Sequence, residues 1–189
     1  MSKERSIDAA QAPEISAPEQ PVSQGGVISR QEEFYYRDDV DYLEDVRLLL
    51  KEKMKKKGPK EAGLEFESPV QARIRENIRD RKARAREHGV RFRIDEVVSR
   101  FGLDPIQEML IAGLVIEQLT SEGLARDEDE FLRCIADDDL RRLVEVKRAH
   151  DAMKSRKLLK SSHRGMFRWA VLDEGIFEHI ISGKALDPH

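Results

Sequence analysis

One stretch governs what this chain can fold into. From Asp104-Pro105 to Leu119, the residues Ile106, Met109, Leu110, Gly113, Leu114, Ile116 and Leu119 make a helix apolar around much of its circumference. Such a helix belongs at the centre of a core, covered by neighbours on several sides. Its start is written in detail. Asp104 with Gln107 forms a capping box, and Pro105 fits the first helical position. Just before it, Gly102 supplies a left-handed cap to a short helix over Asp95–Phe101, which carries Val97, Val98 and Phe101. The two helices around Gly102 have the outline of a helix-turn-helix. A recognition helix, however, shows polar residues to a groove, and the second helix here is nearly all apolar. It is core.

The elements that cover this helix are read from their spacing. Val40, Leu43, Val46, Leu50 and Met54 recur at three and four residues and predict a helix capped by Asp38 or Asp39 and stopped by Gly58-Pro59. Ser68, Pro69 and Gln71 open a second helix with the narrow stripe Val70, Ile74, Ile78 and Ala85, which ends at His88-Gly89. After a break at Glu122-Gly123, Asp127 with Glu130 caps a segment bearing Phe131, Leu132 and Ile135. Asp139 then opens a long helix with Leu140, Leu143, Val144, Ala149 and Met153, expected to reach Leu158 and Leu159. Met166–Leu172 reads as a short strand and Ile176–Ser182 as a last helix closed by Gly183. No repeat at a fixed period is visible.

Charge divides the chain. Charged residues are 38% and apolar ones 39%, above and below their usual shares, so the core is modest for the length. Residues 1–36 hold six acids and three bases, whereas the body from Arg37 onward is balanced, so the whole net charge of −3 sits in the first segment. That segment carries Ala12-Pro13, Ala17-Pro18, Gln20-Pro21 and Gln24-Gly25-Gly26 with few large apolar residues, and is expected to be a disordered acidic tail. The expected organisation is therefore a tail at 1–36, a helical domain at 37–183 and a C-terminal tail at 184–189. The single Cys134 has no disulfide partner within the chain, and no apolar run is long enough for a signal peptide or a membrane span. A reducing, cytoplasmic setting without membrane contact is the expectation.

No reaction is spelled out. The only Gly-Lys pair, Gly183-Lys184, is followed by Ala185 where a phosphate loop needs a hydroxyl, and Glu178 stands where its first glycine belongs. His88, His150, His163, His179 and His189 are scattered, with no two four residues apart and none sharing a helical turn with Cys134, so no metal site is written locally. Ser161-Ser162-His163 has no oriented base or orienter elsewhere and reads as loop. No catalytic residue, cofactor or metal is therefore expected. What remains are two charge clusters. The Ser68–His88 helix carries seven bases and three acids, while Asp127–Asp139 carries seven acids and only Arg133 as a base. Arg73, Arg75, Arg79, Arg81, Lys82 and Arg86 form the candidate interaction face. It could follow a phosphate backbone, or meet the acidic segment or an acidic protein partner.

The run from Gln71-Ala72-Arg73-Ile74-Arg75 through Arg100-Phe101-Gly102-Leu103-Asp104-Pro105 into the apolar helix resembles the region that precedes the ATPase module in bacterial AAA-type ATPases. Asp41-Tyr42-Leu43-Glu44-Asp45-Val46 is similar to that family's opening helix. Arg168-Trp169-Ala170-Val171-Leu172 and Ile176-Phe177-Glu178-His179 are similar to its closing strand and helix. The resemblance spans about Asp38 to Gly183. It implies a mainly helical domain with a winged-helix-like or strand element near the C-terminus. Because only Asp173-Glu174-Gly175 separates Leu172 from Ile176, a hairpin between that strand and helix is expected to be short or missing. The nucleotide module that would follow at about Lys184 is not within these residues, so the resemblance transfers no catalytic residue. It implies a non-catalytic adaptor, regulatory or substrate-recruiting domain, stand-alone or truncated, with an AAA-type ATPase or its substrate as partner. The alternative is a DNA-binding regulator using the basic helix 68–88.

Overall fold

The computed structural model describes residues 35–55, 69–120, 123–164 and 167–186, all within one unit spanning Glu33–His189. In chain order these residues form α1 (Asp39–Met54), α2 (Pro69–Glu87), α3 (Arg93–Phe101), α4 (Pro105–Leu119), α5 (Glu128–Ile135), α6 (Leu140–Ser155), β1 (Leu159–Arg164), β2 (Phe167–Leu172) and α7 (Glu174–Ser182). The domain is mainly helical, with a small two-stranded antiparallel sheet near its C-terminus.

α4 is the hub, packed against α1, α3, α6 and β2. Every residue from Leu110 to Glu117 is buried. Burying eight consecutive residues requires neighbours all round a helix, which the other elements supply. The capping box forms as written, with Asp104 Oδ1 accepting from Gln107 N at 2.8 Å and Gln107 Oε1 from Asp104 N at 3.1 Å. Gly113 is where α5 comes closest: a Cβ there would stand 2.8 Å from the Phe131 ring. Phe131 in turn leans on Trp169 of β2, ring centroids 6.1 Å apart.

Caps account for most of the boundaries. Asp38 accepts from Val40 N and Asp41 N, Asp127 from Glu130 N, and Asp139 from Arg141 N and Arg142 N. Gly102 (φ 55°) ends α3, with Leu103 N returning to Val98 O at 2.9 Å. Asp39 has a further task. It is buried, and its two carboxylate oxygens accept from Arg93 N and Ile94 N, so α1 caps the start of α3.

Several expectations change. Tyr36, grouped with the first segment by composition, is fully buried and donates to Asp45 Oδ2 at 2.9 Å; residues 1–34 lie outside the described residues. So do the Gly58-Pro59 stop, the Ser68 cap, Glu122 and residues 187–189. Val40 and Val70, assigned to apolar faces, are exposed, while Tyr42 and Leu49 take the buried side of α1. α6 stops at Ser155 rather than Leu158–Leu159, because Lys157 turns to φ 59° and Leu158 N bonds back to Met153 O. Leu158 and Leu159 are buried as the chain enters β1.

The largest correction is the sheet. Ser161-Ser162-His163, read as loop, is strand, paired residue for residue with β2: Leu159↔Leu172, Ser161↔Ala170, His163↔Arg168. Lys-Ser-Ser-His has little strand propensity of its own, and its order comes from the apolar strand beside it. A hairpin was expected, if at all, after the closing strand; it lies before it. Lys184 and Leu186, in the expected C-terminal tail, are held to the fold, Lys184 O by His179 Nδ1 at 2.8 Å and Leu186 O by the Arg100 guanidinium at 3.2 Å.

Candidate interaction surfaces

The basic helix is the first candidate. α2 has a buried side made of Ile78, Ala85, Gln71 and, against its charge, Lys82. The Lys82 ammonium lies 2.7 Å from Asp95 Oδ1 and 2.6 Å from Glu108 Oε1, over the Tyr42 ring at 4.3 Å. One lysine thereby ties α2 to α3, α4 and α1. Arg86 shares Asp95, its Nη2 2.7 Å from Oδ2. Arg81 bonds Asp45 Oδ2 at 2.6 Å and lies over the Tyr36 ring at 4.3 Å. Arg75 reaches Asp137 Oδ2 at 3.3 Å. Arg79 pairs with its own helix, at Asp80 and Glu76, and Arg73 is exposed.

The six basic residues therefore do not make one outward face. Arg81, Lys82 and the half-exposed Arg86 clamp the fold, Arg75 bridges to the turn after α5, and Arg73 and Arg79 face solvent with no ion pair to another element among the described residues. Burial and the neighbouring acids also push the Tyr36 and Tyr42 hydroxyls far above the usual tyrosine range, Tyr36 with Asp45 and Tyr42 with Glu108 as the principal charge. The clamp is legible afterwards in the spacing. Lys82 stands four residues after Ile78 and three before Ala85, on the apolar stripe itself.

The acidic segment is likewise consumed at home. Asp127 and Asp139 are caps. Glu128 takes Lys154 at 2.8 Å, and Asp129 takes Lys147 at 2.7 Å and Arg133 at 2.9 Å. The Lys147 hydrogen bond, then that of Arg133, holds the Asp129 carboxyl below its usual range. Asp137 gathers Lys53 at 2.6 Å, Arg75 and Arg142. The expected pairing of α2 with this segment comes down to Arg75; the rest of its charge is met mainly by α6.

α6 holds the surface that spacing alone missed. Its buried side is Leu143, Val146, Ala149, His150 and Met153. Leu140 and Val144, assigned to that side, are 77% and 49% exposed. Beside them lie the exposed Arg141 and Arg148, neither within ion-pair distance of a carboxylate among the described residues. The signal was present: five apolar positions at two different phases cannot all occupy one stripe of a helix half solvated.

The remaining chemistry-bearing groups stay apart. Cys134 is buried, its Sγ 3.6 Å from Leu50 O. His88 stacks on Tyr35 at 4.4 Å, and His163 is exposed on β1. His150 is buried, Nε2 3.7 Å from Glu128 without a hydrogen bond, and burial, then the nearby Lys154, holds its imidazole below the usual value. Among the described residues no three His, Cys, Asp or Glu side chains gather as a metal site. No helix among them is long and apolar enough to cross a membrane. An open groove of about 610 Å³ lies between the end of α2 and α3, lined by both signs of charge, Arg86, Arg91 and Arg100 with Asp95 and Glu96, and by Phe92. No family model matches the chain, and neither a curated protein nor a solved structure does so.

Proposed function

We propose that this chain is a winged-helix-like, non-catalytic adaptor: a regulatory or substrate-recruiting domain of the kind its sequence resembles, with a protein partner. The order α4–α5–α6–β1–β2, three helices followed by an antiparallel hairpin, is the order of a winged helix, in which the third helix is the element presented to a partner. The observation that carries the reading is the outward side of that third helix. It shows Leu140 and Val144 among Arg141, Arg142, Lys147 and Arg148 with Glu145 and Asp151. Arg142 and Lys147 are already paired with Asp137 and Asp129, so the remaining exposed charges, two of each sign, balance around an apolar pair. A duplex-tracking helix needs surplus positive charge, whereas a protein surface accepts an apolar centre with mixed charges. The alternative, DNA binding through residues 68–88, finds less support, because Arg75, Arg81, Lys82 and Arg86 are ion-paired within the fold.

Site-specific photo-crosslinking from position 144 in cells that make the chain tests this. The expected product is a discrete adduct with an AAA-type ATPase or a protein that such an ATPase handles, lost when Leu140 becomes Glu. In parallel, anisotropy with a labelled duplex should show weak, sequence-blind binding at physiological salt. Nanomolar duplex binding that falls about a thousandfold or more between 50 and 200 mM salt would replace the adaptor with a DNA-binding regulator.

A further inference from the structure

The outward side of α6 has enough detail to define its occupant. Residues advance by about 100° around a helix, so Leu140 and Val144 lie within about 40° of each other, one turn apart. Arg141 and Arg148 follow on one flank. Lys147 lies on the other, half exposed although its ammonium touches Asp129 at 2.7 Å. The apolar pair is thus framed by cations on both sides over the first two turns. Glu145 lies further round, beyond the arginines, and Asp151 comes after the framed patch along the axis.

We infer that this patch is the seat of an acidic amphipathic helix of a partner protein, one that lays apolar side chains spaced by three or four residues over Leu140 and Val144 and carboxylates beside Arg141 and Arg148. The inference rests on the adaptor reading and adds the chemistry of the partner. Three features select this occupant. The apolar pair has the spacing of a helix-in-groove contact. Leu140 at 77% exposure is uncovered by any described residue. Among the described residues neither arginine is in an ion pair, so a partner's carboxylate displaces none of the pairs seen there; planar guanidinium groups also suit bidentate carboxylate recognition.

The test uses the full chain, isotopically labelled for NMR, and two synthetic amphipathic helical peptides with the same leucines, one flanked by Glu and the other by Lys. The Glu peptide should move the amide signals of residues 140–148 saturably while the Lys peptide leaves them in place. Changing Arg141→Glu and Arg148→Glu together should weaken the Glu peptide at least about tenfold and admit the Lys peptide instead. All of these positions are exposed, so each variant should melt with the parent protein. Equal binding of both peptides, or signal shifts confined to another face, would overturn the inference. If position 144 yields no adduct in cells but another face crosslinks to an AAA-type ATPase, the choice of α6 falls and the adaptor reading stands. Nanomolar duplex binding removes both.

Discussion

Lys82 shows how a single side chain can decide which way a basic helix faces. Its ammonium is held between Asp95 and Glu108 beneath the Tyr42 ring, and losing it would leave two half-buried carboxylates facing each other. Lys82→Ala should therefore cost about 2–4 kcal/mol, somewhat below a fully buried pair because both acids retain water; urea unfolding measures it, and a loss under about 0.5 kcal/mol would place the lysine in solvent. His150 sets a pH dependence. Its folded value is depressed, so the unfolded chain takes up a proton near pH 6.5 that the folded protein resists. Stability is full above that pH and falls below it, with a slope approaching about 1.4 kcal/mol per pH unit. His150→Gln should flatten the denaturation midpoint between about pH 6.5 and 5, a window above the ordinary carboxylate range. An unchanged slope would assign the acid sensitivity to other groups.

At the scale of elements, α2 and α6 exchanged the roles that their compositions advertised. α2 has the greater visible basic charge, yet it spends four cations on α1, α3, α4 and the turn after α5. Arg86→Glu would set a third carboxylate beside Asp95 and Glu108 and should lower the melting temperature by several degrees. Arg79→Glu, on the solvent side, should leave it within about a degree. The boundary between α6 and β1 rests on Lys157 in the left-handed region, where a side chain costs roughly 1 kcal/mol relative to glycine. Lys157→Gly should raise stability by up to that amount, since no ion pair among the described residues is lost with it. A decrease would show that the lysine stem packs on the turn.

For the molecule as a whole, α4 makes the fold one cooperative unit, because five elements lose their shared neighbour if it leaves. Leu110→Ala should cost roughly 2–5 kcal/mol, read as a shifted but still single calorimetric transition; a variant melting with the parent would put Leu110 outside the core. That centre was legible in the sequence. Asp104-Pro105-Ile106-Gln107 carries its own capping chemistry, and a helix apolar on nearly every side has one place to go. The other caps, at Asp38, Asp127 and Asp139, were legible for the same reason: their hydrogen bonds close within three residues. What depended on contacts between distant residues was not. Lys82 finds its acids 13 and 26 positions away, Ser161-Ser162-His163 becomes a strand through β2 alone, and Leu140 and Val144 are left in water because Leu143, Val146 and Met153 fill the side that meets α4. Local hydrogen bonding and one dominant apolar helix are properties of neighbouring residues, so the sequence determines the centre and the helix starts at Asp38, Asp104, Asp127 and Asp139, whereas the start of α3 waits on Asp39 from α1. Which cations face inward, and which apolar residues remain uncovered, depends on how much room the packed neighbours leave, and only the tertiary structure decides that.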